Sequence, residues 1–527
     1  MPEQKGRVYF VGAGPGDRGL MTVKGRRMLA QAEVVLYDSL VNANILDCCS
    51  PHAEQICVGK RGGEPSLTQE EINTLLLEKA LQGKQIVRLK GGDPFLFGRG
   101  GEEALLLARA GISFHVVPGV PSAIAVPAYA GIPVTDRRYA SSVAFVTGHE
   151  TPGKDRPVIA WQDIANGAET LVFLMGMRNL SMIVEQLILH GRNPETPVAV
   201  IQQGTLGSQK VVEGTLDTIC RIVDQHALKP PGIVVVGEVV KLRQELRWFE
   251  TKPLFGRRII ITREYQEEDT LSDALEENGA EIVLFPTISF QPPDSYEEAD
   301  QALAQLESFQ WIIFTSSNGV RFFMERAWSR GKDVRNFSHL HFAAIGSGTE
   351  RTLKSQYLRA DLVPDEFSAE GVVRAFTERN ITGARILIPR AQKTRDVLDQ
   401  GLRALPNEVL AVPVYKTVVP SALQQAEQFA MVQNCDCIVF TSSSTVHNFF
   451  EYATPAVLQE LKDMAIACIG PITEGALRRH GFTARIVPLQ YDFRSLAEAI
   501  INYYKELSPP SSVAGLRRGE RNAELKS

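Results

Sequence analysis

The chain has 527 residues, 44% of them hydrophobic and 22% charged. This ordinary globular balance excludes whole-chain disorder, a collagen-like repeat and a disulfide-stapled mini-protein. Its 56 Lys and Arg against 61 Asp and Glu leave a net charge of −5, which argues against a globally basic nucleic-acid binder. No apolar run reaches the roughly 18 residues of a membrane span, and the first fifteen residues lack a signal-peptide layout. The seven cysteines are sparse and odd in number. Cys48 with Cys49 and Cys435 with Cys437 are the close pairs, without a second ligand pair at zinc spacing. We read a reduced, cytoplasmic protein with structural thiols and no metal site.

Along residues 5–245, apolar strand-like runs alternate with helical patterns. Val8–Val11, Val34–Tyr37, Ile86–Leu89, Val143–Thr147, Leu171–Met175, Val198–Gln202 and Ile233–Val236 are such runs. The alternation predicts an α/β fold with at least some parallel sheet. Residues 247–256 have no clear period and read as a linker, so that one domain spans 1–246 and a second 257–506. Residues 507–527 are rich in Ser, Pro and charge and read as a disordered tail.

The second domain carries an internal repeat. GRRIIITR from Gly256 resembles GARILIPR from Gly383, and IFTSSNGVRFF from Ile313 resembles VFTSSSTVHNFF from Val439. AIGSGTERTL from Ala344 resembles CIGPITEGAL from Cys468, and FSAEGVVRAF from Phe367 resembles FRSLAEAI from Phe493. The offsets run from 124 to 127 residues. Two similar α/β lobes follow, with chain crossings expected near 286–292 and 411–418.

In the first domain, a strand ending in VGAGPGD (11–17) gives a turn whose glycines let the backbone approach a ligand. It is not a clean GxGxxG, and Pro15 removes an N–H that a pyrophosphate cradle would use. RLKGGDPFLFGRGGEE (88–103) is more specific: a strand ends in Gly91-Gly92-Asp93 and a second Gly cluster opens a helix. The C-terminal edge of such a sheet is where open α/β folds bind ligands. Asp93 reads either as an acceptor for a ribose or amino group or as a turn former before Pro94.

These segments carry a resemblance. Together with VLYDSLV (35–41), VGKRGG (58–63), QEEIN (69–73), VVPGVPSAIAVPAYAGIPVTDR (116–137), VTGHE (146–150), LVFLMG (171–176) and VIQQGT (200–205), they make the first domain resemble the tetrapyrrole methylases, specifically uroporphyrinogen-III C-methyltransferase. The resemblance implies a two-lobed fold and a homodimer formed through this half. It also implies transfer of methyl groups from S-adenosylmethionine to carbons 2 and 7 of uroporphyrinogen III. It places cofactor contacts at Pro15, Gly91, Gly92, Asp93, Leu96, Ser122, Met175 and Gly204. Asp38 matches the family's proton acceptor and Lys60 its proton donor. Relatives have Thr where Pro121 stands here. From the residues alone, Asp38 also reads as a turn residue and Lys60 as the partner of a substrate carboxylate. The substrate's eight carboxylates call for concentrated cations, and Arg61 and Arg99 are candidates.

The second domain shows no nucleophile motif or phosphate loop. Ser/Thr/Gly runs follow its strands at Thr315–Asn318, Gly346–Thr349, Thr441–Ser444 and Gly470–Thr473. Each reads as an anion-binding helix start or simply as a helix cap. With ITR (261–263), FTSSNGV (314–320), AIGSGT (344–349), PVYKT (413–417), FTSSSTV (440–446) and IGPITEGAL (469–477), this half resembles uroporphyrinogen-III synthase, whose lobes are flavodoxin-like. That family cyclises hydroxymethylbilane with inversion of the last ring, without a cofactor. The resemblance implies that Tyr415 assists hydroxyl departure and that Thr349 and Thr473 bind substrate. Ser316 and Ser442 are further binding candidates, and Tyr415 also reads as a packing residue.

The two resemblances imply one bifunctional enzyme from hydroxymethylbilane to precorrin-2, feeding sirohaem or cobalamin synthesis. Its partners are small tetrapyrroles, with no nucleic acid and no membrane. The alternative is a methyltransferase, acting on uroporphyrinogen III or on a later precorrin, fused to a noncatalytic tetrapyrrole-binding module.

Overall fold

The structure is a computed structural model describing residues 6–50, 52–59, 67–148, 159–264, 270–393, 397–420 and 431–507. Lys60, Arg61 and the tail from residue 508 lie outside the described residues. No helix among those described is long and apolar enough to cross a membrane.

Five strands open the chain: β1 (Arg7–Gly12), β2 (Val34–Tyr37), β3 (Glu54–Cys57), β4 (Gln85–Lys90) and β5 (Ser113–Val117). They form one sheet in the order β3-β2-β4-β1-β5, parallel throughout. Its central strands are near-continuous apolar runs because both faces are covered. One core contains Val8, Phe10, Leu36 and Ile86, and the other contains Val11, Val35, Val87 and Leu89. The crossover helix Gln69–Leu81 starts on a capping box, in which the Thr68 hydroxyl accepts from Glu71 N–H and the Glu71 carboxylate accepts from Thr68 N–H.

The next strands are β6 (Val143–Thr147), β7 (Thr170–Leu174), β8 (Pro197–Gln202), β9 (Lys210–Thr215) and β10 (Gly232–Val236). Their order is β6-β7-β10-β8-β9, with β10 antiparallel to both neighbours. The helix Ser122–Tyr129, which follows the first sheet in sequence, packs on the second sheet through Ala123 and Val126.

Residues 247–256 pack firmly against the domains they join. Leu254 is fully buried, and Phe249 and Phe255 nearly so. The Trp248 and Phe249 rings lie 5.1 and 4.8 Å from that of Tyr129.

The remaining strands are β11 (Arg258–Ile261), β12 (Glu281–Leu284), β13 (Ser289–Gln291), β14 (Trp311–Phe314), β15 (His341–Ala344), β16 (Arg385–Ala391), β17 (Glu408–Val418), β18 (Cys437–Phe440) and β19 (Ala465–Cys468). One sheet has the order β12-β11-β18-β19 and the other β13-β17-β16-β14-β15. Each sheet mixes the sequence repeats. In the repeat's terms β16 and β17 correspond to β11 and β12, and β14 and β15 to β18 and β19. The two sheets therefore share one strand order, a flavodoxin-like 2-1-3-4, with β13 added at one edge. The chain leaves the first of these lobes after β12 and returns after β17, whose last residues pair with β13.

The structure corrects the register of the last repeat block. Phe367 aligns with Tyr491 rather than Phe493. A side chain at Gly346 would meet the Phe367 ring at 3.1 Å, and one at Gly470 the Tyr491 ring at 3.1 Å. The helix caps agree: Ser368 accepts from Gly371 N–H, and Asp492 accepts from Ser495 N–H. Matching the aromatic letters FS and FR misled the alignment, because the conserved feature is an aromatic followed by a cap, not a particular residue.

Candidate functional site

Three glycine turns meet at the C-terminal edge of the first sheet. Gly14 and Gly92 exchange backbone hydrogen bonds of 3.2 and 2.7 Å, so the turn holding Pro15 lies against the turn holding Gly91, Gly92 and Asp93. A side chain at Gly12 would stand 2.5 Å from Gly119 Cα, and one at Gly119 would stand 2.2 Å from the Gly92 carbonyl. Only glycine permits this packing. Gly91 differs: among the described residues a side chain there would meet nothing closer than Leu40 Cβ at 3.7 Å. Its bareness serves no packing among the described residues.

Asp93 uses both carboxylate oxygens on the backbone. One accepts from Phe95 and Leu96 N–H at 2.8 and 3.1 Å, the other from Gly119 N–H at 3.0 Å. These bonds form the turn and tie the Pro118–Pro121 loop to the site. Ser122 opens the next helix directly after Pro121, which is the N-cap residue but offers no side-chain cap bond.

The second sheet closes the site from above. A side chain at Gly204 would collide with Val126 at 2.4 Å, and Thr205 Oγ1 accepts from Asp17 N–H at 3.1 Å. Leu96 packs on the cluster containing Leu174, one residue before Met175. Met175 is half exposed with φ +56°. Phe97, Arg99, Gln203 and Thr205 also have positive φ, and such strained residues gather at functional sites. Arg99 is exposed and paired with Glu102 at 2.6 Å.

Asp38 follows β2, and its carboxylate, one-third exposed, accepts from Arg88 Nη2 at 2.6 Å. Arg88 also donates to Glu103 at 3.0 Å, and Lys90 Nζ lies 2.9 Å from Glu103 and 3.8 Å from Asp38. Arg88, Lys90 and Glu103 are almost wholly buried. Burial pulls the Arg88 guanidinium down, but the carboxylates of Asp38 and Glu103 outweigh it and keep it charged. Burial and the neighbouring Arg88 push Lys90 below the usual lysine range. Glu103 lies below the usual carboxylate range because Arg88 and Lys90 overcome its own burial. Two cations and two carboxylates thus pair beside the site, and Arg88 orients the Asp38 carboxylate.

Sequence reasoning gave Arg88, Lys90 and Glu103 no role. A signal was present: Arg88 and Lys90, two residues apart in an apolar strand, must share one face, and a charge inside a covered sheet needs a partner.

In the second domain, Tyr415 on β17 is buried, with its ring stacked on Phe322 at 5.5 Å. Its hydroxyl lies 3.1 Å from Ser316 Oγ, and burial raises its pKa. Its ring packs in the core while its hydroxyl reaches the Ser316 helix start. Ser316 and Ser442 are N-caps of the helices Ser317–Ser329 and Ser443–Tyr452, accepting from Gly319 and Thr445 N–H at 3.0 and 3.2 Å. Thr349 and Thr473 sit buried in the first turns of the helices Ser347–Ser355 and Pro471–Arg479, behind Gly346 and Gly470 as N-cap residues. All these helix starts follow the C-terminal ends of parallel strands, the edge from which the chain crosses between lobes.

All seven cysteines are free thiols, and Cys435, Cys437 and Cys468 are buried. Among the described residues no group of three or more His, Cys, Asp or Glu is placed to hold a metal ion.

Two family models match the chain: Tetrapyrrole (Corrin/Porphyrin) Methylases over residues 7–220, and Uroporphyrinogen-III synthase HemD over residues 269–498. The chain is 37% identical to Porphyrin biosynthesis protein HemD of Ruminiclostridium josui, across 90% of this chain and 94% of that one. It is 41% identical to Uroporphyrinogen-III C-methyltransferase of Bacillus subtilis strain 168, across 74% and 78%. Among solved structures, the uroporphyrin-III C-methyl transferase from Thermus thermophilus complexed with S-adenyl homocysteine is 40% identical. It covers 45% of this chain and 100% of that one, with a TM-score of 0.39.

Proposed function

The chain belongs to the family of porphyrin-biosynthesis proteins that join a tetrapyrrole methylase to a uroporphyrinogen-III synthase, and we propose that it converts hydroxymethylbilane to precorrin-2. The second domain eliminates the bilane's hydroxyl as water and closes the macrocycle with the last ring inverted, needing no cofactor. The first domain then methylates carbons 2 and 7 of uroporphyrinogen III. S-adenosylmethionine, when bound, supplies the methyl groups from its sulfonium. The sheet edge at Gly91, with the Pro15, Asp93, Ser122 and Gly204 segments and with Leu96 and Met175, is where this chain would hold it.

The observation that carries the reading is the meeting of the Gly14, Gly92 and Gly119 turns at that edge, beside Asp38. Most of the catalysis is positioning. As each new carbon–carbon bond forms, the macrocycle must release a proton. Asp38 accepts it, aimed by Arg88, while Lys60 serves as donor. Arg61 and Arg99 meet substrate carboxylates. In the second domain, Tyr415 assists the hydroxyl's departure and Ser316, Ser442, Thr349 and Thr473 line the binding edge. The working protein is a cytoplasmic homodimer joined through the first domain, and its product feeds sirohaem or cobalamin synthesis.

The test supplies the purified protein with hydroxymethylbilane, with and without S-adenosylmethionine, and resolves products by isomer and mass. Type III uroporphyrinogen without the methyl donor and a dimethylated product with it are expected. Spontaneous type I isomer alone would overturn the synthase assignment. Absence of methylation on supplied uroporphyrinogen III would overturn that of the methylase.

A further inference from the structure

The turn that holds Pro15 is gripped from several sides. Within the first domain, Asp17 Oδ2 accepts from the Tyr129 hydroxyl at 2.6 Å, Asp17 N–H donates to Thr205, and Asn42 Nδ2 donates to the Gly16 carbonyl at 2.8 Å. The remaining grip comes from the other domain. Arg18, the next residue, points its guanidinium at the helix Thr270–Glu277. Its Nη2 lies 2.7 Å from Asp273 Oδ1 and its Nε 2.7 Å from Glu276 Oε2. Only 11% of the Arg18 side chain is exposed. Two separate carboxylates hold two nitrogens of one planar group, which sets its orientation as a single contact cannot.

The same junction is closed by backbone. Asn44 Nδ2 donates to the Ile282 carbonyl of β12 at 3.0 Å. Gly256 N–H donates to the Gly207 carbonyl at 3.0 Å. A side chain at Gly207 would meet Glu281 N at 2.8 Å, so the loop after β8, which carries Gly204 and Thr205, lies directly on the second domain.

We propose that Asp273 and Glu276 of the second domain are positioning residues for the methyl-donor turn of the first, acting through Arg18. The proposal rests on the methylase reading above. On this view the junction sets the turn that carries Pro15 and Gly16, and the first domain reaches full affinity for its methyl donor only with the second domain in place. Arg18 adds a hold from the second domain to those at Gly14, Gly16 and Asp17, and affinity gains from what need not be ordered on binding.

The experiment uses the full chain carrying D273N/E276Q, with S-adenosylhomocysteine binding measured by titration calorimetry. Methylation is followed on supplied uroporphyrinogen III. The expected result is a rise of about tenfold in Kd and in the KM for S-adenosylmethionine, with kcat changed less than twofold. R18Q is expected to match it, and the triple variant to be no worse than either, because all three remove one interaction. R18K provides a milder test that keeps the charge but loses the two-nitrogen geometry, and an intermediate affinity is expected. Unchanged Kd in D273N/E276Q and R18K would overturn the proposal. So would equal losses of kcat and affinity, the signature of general loosening. Failure of the unsubstituted chain to bind S-adenosylhomocysteine would overturn the methylase reading itself, and is told apart because it needs no substitution.

Discussion

The orientation of the Asp38 carboxylate depends on residues that never meet in sequence. Arg88 is 50 positions from Asp38 and 15 from Glu103. Removing the guanidinium leaves the buried Glu103 and the partly exposed Asp38 with one remaining cation. Arg88→Met is therefore expected to destabilise the first domain by about 3–5 kcal/mol, the cost of breaking a buried ion pair on one side. A lowered urea midpoint would show it. Asp38→Asn removes only the partly exposed member, so it should lower methylation far more than stability.

Glu276 makes a pH prediction. Burial raises its pKa to about 7, with Arg18 opposing and Asp17 and Asp273 adding to the rise. A folded-state value above the unfolded one means that the folded protein binds more protons between about 4.5 and about 7. Its contribution to stability is full below that window and is lost as pH rises through about 7. Asp47, raised to about 6 chiefly by burial, acts in the same direction. The thermal midpoint should fall across this window, and Glu276→Gln should flatten the fall.

At the scale of elements, the glycine turns divide into two kinds. Gly12 and Gly119 let strand ends touch, whereas Gly91 serves no packing among the described residues. Gly12→Ala should cost about 1–3 kcal/mol, because backbone rather than a flexible side chain stands in the way. Gly91→Ala should leave the urea midpoint nearly unchanged yet weaken S-adenosylhomocysteine binding. Equal effects of the two substitutions would show that Gly91 is a packing glycine after all. The strands were legible because covered parallel strands are continuous apolar runs, and β2 and β6 begin and end where the sequence places them. The helix caps Ser316 and Ser442 were legible as alternatives only: a hydroxyl after a strand reads equally as cap or ligand until its N–H partner is seen.

For the whole molecule, the decisive feature is that neither sequence repeat is a folding unit. β11 pairs with β18 of the other repeat, and β14 pairs with β16 of the other repeat. A fragment of residues 256–382 leaves both sheets open at their centres and is expected to show no cooperative unfolding by circular dichroism. A fragment of residues 247–507, which contains both complete sheets, should unfold cooperatively.

The sequence by itself determined the α/β class, the repeat, the glycine turns and the family resemblance. All of these depend on residues close in the chain, where apolar periodicity and absent side chains act locally. Tertiary structure alone decided the register of Phe367 with Tyr491, the strand order of the two mixed sheets, the buried partners of Asp38, and the hold of Asp273 and Glu276 on Arg18. Those last contacts span 255 and 258 residues. A charge's partner at that separation is fixed by which surfaces the folded domains bring together, and no local pattern records it.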